Sequence, residues 1–145
     1  MKLDPKNGLD KLVFGMKTAD VISIYGKPNK EFTDDDNNKI FLYNDQKMRL
    51  TFYEDEGFKL GYIICSNENL IFLNQTLIEA NTAEIKSKLI EKGIKQWEVD
   101  DFDSTENHFN ESNWLTLQSE FAKIIRVEIG AIFNDNDEMI FKFKG

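Results

Sequence analysis

The chain has 145 residues, 41% of them apolar and 30% charged, with twelve Phe, the composition of a globular protein and not of a disordered one. Eighteen basic against twenty-six acidic residues leave a net charge of −8, which argues against a general nucleic-acid binder, whose footprint is a basic face. The single cysteine, Cys65, excludes an internal disulfide framework and a cysteine-only metal site.

The opening residues, Met1 to Gly8, are charged and broken by Pro5 and Gly8. A signal peptide needs an apolar stretch of about 7–15 residues there. Apolar runs elsewhere fall far short of the roughly 18 residues needed to span a bilayer. These features predict a cytoplasmic protein without membrane contact. The first periodic segment begins at Thr18, an expected N-cap, with Asp20 in the first turn where the helix dipole favours an anion. Val21, Ile24 and Tyr25 share a face, and Gly26 and Pro28 end the helix after about two turns. Strands follow over residues 39–43, 48–53 and 58–65, separated by turns at 44–46 and 54–57. Met48, Leu50 and Phe52 alternate to one side. The loops are too short for crossover helices, so the pairing is antiparallel.

The pattern then restarts. Thr82-Ala83-Glu84-Ile85 echoes Thr18-Ala19-Asp20-Val21 at an offset of 64 residues, and Leu115-Thr116-Leu117 echoes Leu50-Thr51-Phe52 at 65. Asn81 with Glu84 approximates a capping box, and Gly93 closes the second helix. Residues 124–129 read as a strand. A last hairpin is expected from 131–133 and 139–143 around the turn 134–137. The predicted fold class is α+β, a single domain over 1–145 with internal repeats at approximately 9–72 and 73–145. Each repeat is a short helix followed by an antiparallel β-meander, with the helices packed on one face of the sheet. Identities between the repeats are few, so chance similarity of two such units stands as the alternative. Phe41, Leu50, Phe52, Ile63, Leu115, Leu117, Ile125 and Val127 are the expected core.

The segment from Leu12 through Gly15-Met16 to Val21, followed by Tyr25-Gly26-Lys27-Pro28, resembles a Gly-Met…Val…Gly-x-Pro signature. That signature opens the helix-plus-sheet repeat of outer-membrane assembly lipoproteins of the SmpA/OmlA kind. The tandem form resembles the beta-lactamase inhibitory protein family. The resemblance covers about 25 residues in sequence and architecture beyond that. It implies short helices on one face of an antiparallel sheet, and the binding of another protein as the function. It assigns no active residue.

Chemistry-bearing residues are sparse. His108 is the sole histidine, and acid–base or zinc sites need partners that no second His supplies; in its polar stretch it reads as a surface residue. Cys65 lies in an apolar run and reads as buried and unreactive. Residues 34–38 imitate the start of a calcium loop, but its sixth position is Lys39 and its twelfth is Asp45 where Gly and Glu are required. They read as a solvated turn, as do residues 134–137. The glycines form no phosphate loop. No metal or cofactor is expected.

The most unusual stretch runs from Trp97 to Trp114. Between Gln96 and Ala122 there is no Lys or Arg, while Glu98, Asp100, Asp101, Asp103, Glu106, Glu111 and Glu120 all fall there. Both tryptophans flank it, Trp is enriched among binding hot spots, and acidic rims steer basic partners. The expected binding residues are Trp97, Glu98, Asp100, Asp101, Phe102, Asp103, Glu106 and Trp114; the bland alternative is a solvated loop with aromatics resting on the sheet. The functional expectation is a non-enzymatic inhibitor of a basic protein, monomeric when free. Its sharpest form is an immunity protein neutralising a bacterial toxin, for instance a nuclease. The alternatives are a small-ligand or structural module, and a hydrolase using the carboxylates around Asp100, Asp101 and Asp103.

Overall fold

The computed structural model describes residues 1–145. Its N-terminal segment forms a small antiparallel sheet of β1 (Leu3–Asp4), β2 (Gly8–Leu9) and β3 (Leu12–Val13). Gly8 has φ +154°, and a Cβ there would stand 2.0 Å from the Leu12 carbonyl oxygen. Only glycine allows strands so short to close. Leu3, Leu9, Leu12, Phe14 and Met16 are buried, so this segment belongs to the core.

Helix α1 (Thr18–Tyr25) follows. Its N-cap is Lys17 and not Thr18. The Lys17 amide donates to the Asp20 carboxylate at 2.9 Å, the backward half of a capping box. Gly26, at φ +80°, ends the helix as expected. Strand β4 (Lys30–Thr33) comes next, then β5 (Lys39–Tyr43), β6 (Met48–Tyr53) and β7 (Lys59–Cys65). The short hairpin β8 (Ile71–Phe72) and β9 (Gln75–Thr76) leads to α2 (Thr82–Glu91). The Asn81 side chain accepts from the Glu84 amide, as the sequence suggests. Strands β10 (Glu98–Phe102), β11 (Thr105–Asn110), β12 (Leu115–Glu120) and β13 (Lys123–Gly130) complete the regular structure.

The fold is α+β, built on one antiparallel sheet of eight strands in the order β10-β11-β12-β13-β7-β6-β5-β4. Two meanders therefore meet edge to edge where β7 pairs β13. Register carries two inward rows across the sheet. One runs Tyr43, Met48, Cys65, Val127, Leu117, His108; the other runs Phe41, Leu50, Ile63, Ile129, Leu115, Asn110. All twelve side chains are buried. Each helix docks on this inward face. Tyr43 donates its hydroxyl to the Gly26 carbonyl at the end of α1, and Thr82 of α2 hydrogen-bonds inward-facing Ser119 at 2.7 Å.

One further expectation fails here and another holds only in part. Ile125 is only half-buried, because a bulge at Gln118/Ser119 shifts the register and turns Ile124 inward instead. The expected last hairpin forms in part: around the turn 134–137, Phe133 bridges Met139, Asn134 donates to the Glu138 carbonyl and Ile140 to the Ile132 carbonyl, but no strand extends to 143. The C-terminal arm is also tied to other elements: Ala131 donates to Gly61 and Phe143 to Phe14. Phe141 lies so close to Gly15 that a Cβ there would stand 2.8 Å from its own.

Two tyrosines make stability fall in alkali. Burial, then a hydrogen bond to Asp10, holds the Tyr25 hydroxyl well above its usual range. Burial, then the Glu128 carboxylate, does the same for Tyr62. The folded chain keeps these protons where the unfolded chain releases them, so their stabilisation is complete below about pH 10 and is lost as pH rises above it. Melting temperatures should hold steady to about pH 9 and decline above about pH 10, and Tyr62→Phe should make the decline shallower.

Candidate functional site

The acidic segment is neither a loop nor a detached arm. β10 and β11 form a hairpin at one edge of the sheet, with Asp103 (φ +54°) and Ser104 at its tip. Alternation sends Glu98, Asp100 and Phe102 to the outer face of the sheet. It sends Val99 and Asp101 to the side occupied by His108 and Glu106. All five β10 residues are exposed. An edge strand with free backbone groups invites unwanted pairing, and charges along it discourage that. Two apolar side chains still stand in solvent there, Val99 and Phe102, the latter 57% exposed.

Trp97 and Trp114, expected with Phe102 as candidate apolar anchors, lie at the base of this hairpin and are half-buried. Trp97 donates its Nε1–H to the Ile94 carbonyl at 2.9 Å, and the Lys86 ammonium sits 5.6 Å above its ring. Trp114 packs edge-on between Phe109 and Phe133. It rests on Gly130, where a Cβ would come within 2.4 Å of its indole. The tryptophans fasten the hairpin; Glu98, Asp100, Asp101, Phe102, Asp103 and Glu106 remain exposed along it. Asp100 projects from the face opposite to Asp101, so the carboxylates proposed for hydrolysis do not converge as one group. Asp101, Asp103 and Glu106 line a concavity of about 330 Å³; Asp100 does not.

His108 is buried, contrary to the surface placement expected from its polar neighbours. Its strand alternation puts it at the end of an inward row beside Leu117. Nδ1 lies 3.0 Å from Lys86 Nζ, and Nε2 lies 3.2 Å from Glu106 Oε1. An ammonium can only donate, so Nδ1 accepts from Lys86, and Nε2–H donates to the Glu106 carboxylate. Burial holds the Lys86 ammonium below its usual range, opposed by the Glu106 charge. The chain Lys86–His108–Glu106 clamps α2 to the hairpin.

The remaining motifs are structural. Asp34 accepts from the amides of Asp36 and Asn38 and closes its own turn. These bonds, that from Asn38 foremost, hold its carboxyl below the usual range. Asn134 does the same for the amides of Asn136 and Glu138. Cys65 is buried, which raises its thiol above the usual range. No group of three or more His, Cys, Asp or Glu is arranged to hold a metal ion. No helix is long and apolar enough to cross a membrane.

One exposed residue beside the hairpin escaped the sequence reading. Phe121, in the tight turn between β12 and β13, is 82% exposed and borders the same concavity as Asp101 and Asp103. The only sequence signal was an aromatic set between Glu120 and Lys123, which reads equally well as continuing strand.

No family model matches the chain, and no curated protein matches it. Among solved structures it is similar to an extracellular protein containing an SCP domain from Bacillus anthracis str. Ames, at 10% identity and a TM-score of 0.52, over 99% of this chain and 56% of that one. It is also similar to a cysteine-rich secretory protein from Staphylococcus aureus subsp. aureus Mu50, at 15% identity and a TM-score of 0.54, over 94% of this chain and 53% of that one. A DUF4309 family protein from Bacillus subtilis subsp. subtilis str. 168 aligns at 13% identity and a TM-score of 0.45, over 79% of this chain and 78% of that one. The chain spans just over half the length of the first two. At such identities the first two likenesses show a shared α+β fold in bacterial proteins and nothing of function.

Proposed function

We propose that this chain is a non-enzymatic inhibitor that binds a basic protein, and specifically a cytoplasmic immunity protein that neutralises a bacterial toxin such as a nuclease. The observation that carries the reading is the acidic edge hairpin. Its carboxylates stand exposed on a rigid sheet and are not spent on internal ion pairs: of Glu98, Asp100, Asp101, Asp103 and Glu106, only Glu106 has a basic neighbour, His108, within 4.0 Å. A nuclease site is built to receive a polyanion, and an acidic protein surface can occupy it. The architecture agrees: a helix precedes each of two four-stranded meanders. In our reading these are tandem repeats, in keeping with the SmpA/OmlA-like and beta-lactamase inhibitory protein-like sequence signature. The free protein is then a monomer, and its partner is neither nucleic acid nor membrane.

The reading is tested with the cytotoxic domain encoded beside this chain in its genome. Co-expression should protect cells from that domain, and an equimolar amount of the purified chain should abolish its activity. Undiminished toxicity under co-expression, or a neighbourhood without any basic toxin domain, contradicts the reading.

A further inference from the structure

Phe121 and Ala122 occupy both central positions of a two-residue turn closed by Glu120 opposite Lys123. Both have positive φ, +51° and +65°. Such a turn suits the twist of a hairpin and favours Asn-Gly, because both residues must adopt a left-handed conformation. Phe and Ala adopt it against the repulsion of their Cβ atoms. The Phe121 ring recovers little by burial, since at 82% it is the most exposed of the large apolar side chains. The pair is therefore unfavourable for folding twice over, through backbone conformation and through hydration. Local choices that disagree with the fold concentrate at functional positions.

The surroundings specify what this ring meets. Phe102 faces Thr105, and Thr105 faces Glu120, so Phe102 lies at the same end of the sheet as Phe121 but projects from its outer face, away from the concavity that Phe121 borders. Phe121 and Ala122 wall the concavity lined by Asp101, Asp103 and Glu106. The cations nearby are already engaged: Lys123 lies 3.9 Å from Glu79, and the Lys86 ammonium lies 3.0 Å from His108 Nδ1. A second copy of this chain or an anionic lipid surface would meet like charge here. An arginine or lysine can place its charge among the carboxylates and its stem or guanidinium plane against the ring.

We infer that Phe121 is the apolar anchor through which the acidic hairpin grips a basic protein, whose contacting surface presents an arginine or lysine next to an apolar recess. This rests on the hairpin being the recognition surface. The anchor, and not the tryptophan pair, then governs dissociation, while the surrounding acids govern encounter.

Two arms test it. In the first, Phe121→Asn with Ala122→Gly restores the favoured turn residues, and the melting temperature should rise by about 2–4 °C. A fall would show that the Phe-Ala turn serves folding, and would overturn the inference. In the second, the ¹⁵N-labelled chain is titrated with a synthetic peptide of alternating arginine and leucine, and with its arginine–serine counterpart. The arginine–leucine peptide should shift the amides of residues 101–106 and 120–123. Phe121→Ser should weaken it by tenfold or more, while binding of the arginine–serine peptide stays weak and unchanged. Equal binding of the arginine–leucine peptide to parent and Phe121→Ser, still centred on the hairpin, removes the anchor and leaves the acidic surface standing. No shift at these residues with either peptide removes both.

Discussion

Phe52→Ala should lower the unfolding free energy by about 3–5 kcal/mol, the usual range for deleting a buried phenyl ring. Phe52 is fully buried and lies 4.8 Å, centroid to centroid, from the Phe41 ring. Domains of this kind are stable by only about 5–15 kcal/mol, so the loss is a large share of the whole. The location of the probe makes the experiment informative. Both tryptophans sit in the second meander, while Phe52 sits in the first. A single cluster of 24 buried residues joins the two halves, from Leu3 to Ala131. The β7–β13 pairing is internal to one sheet, so the halves should unfold together. Urea unfolding followed by tryptophan fluorescence should therefore shift as far as unfolding followed by circular dichroism. A tryptophan transition that stays in place in Phe52→Ala would mean that the halves unfold independently.

The strands that the sequence made legible are those that bury one face. Met48, Leu50 and Phe52 alternate with Arg49, Thr51 and Tyr53, and β6 has the expected limits, Met48–Tyr53. The central strands β7, β12 and β13 were visible for the same reason, although the bulge at Gln118/Ser119 misled the reading of Ile125. The edge strands were not legible. β4 is Lys-Glu-Phe-Thr and buries no residue; β10 is Glu-Val-Asp-Asp-Phe and is exposed throughout. Edge strands take their order from backbone pairing with a neighbour, and polar side chains there hide the period of two. The short strands β1 to β3 leave too few residues for any periodicity, yet they deliver Leu3, Leu9 and Leu12 to the core.

The candidate site was legible as charge and not as geometry. The absence of Lys and Arg from residues 96–122 located it. The sequence could not place Trp114 at the hairpin base, because its cover comes from Phe133 and Gly130, 19 and 16 residues further along the chain. His108 misled for a related reason. Its neighbours Asn107 and Phe109 face the other side of the sheet, and only the pairing with Leu117 shows that it points inward. Phe121 was concealed by turn chemistry that departs from the usual Asn-Gly preference.

Neutralising Asp100, Asp101, Asp103 and Glu106 together, as Asn, Asn, Asn and Gln, should slow association with the basic partner we propose by about tenfold or more at low salt. These charges are exposed, so they act by attracting the partner over a distance that salt shortens from about 30 Å at 0.01 M to about 8 Å at physiological ionic strength. Dissociation should change far less, since it depends on desolvated contacts. Glu106 also accepts from His108, so an unchanged melting temperature is the control for folding. The decisive measurement is the association rate of parent and four-acid variant at two ionic strengths. The account predicts a parent rate that falls steeply with salt, and a variant rate that is slow at both and nearly independent of salt. Equal rates with equal salt slopes for the two proteins would contradict it.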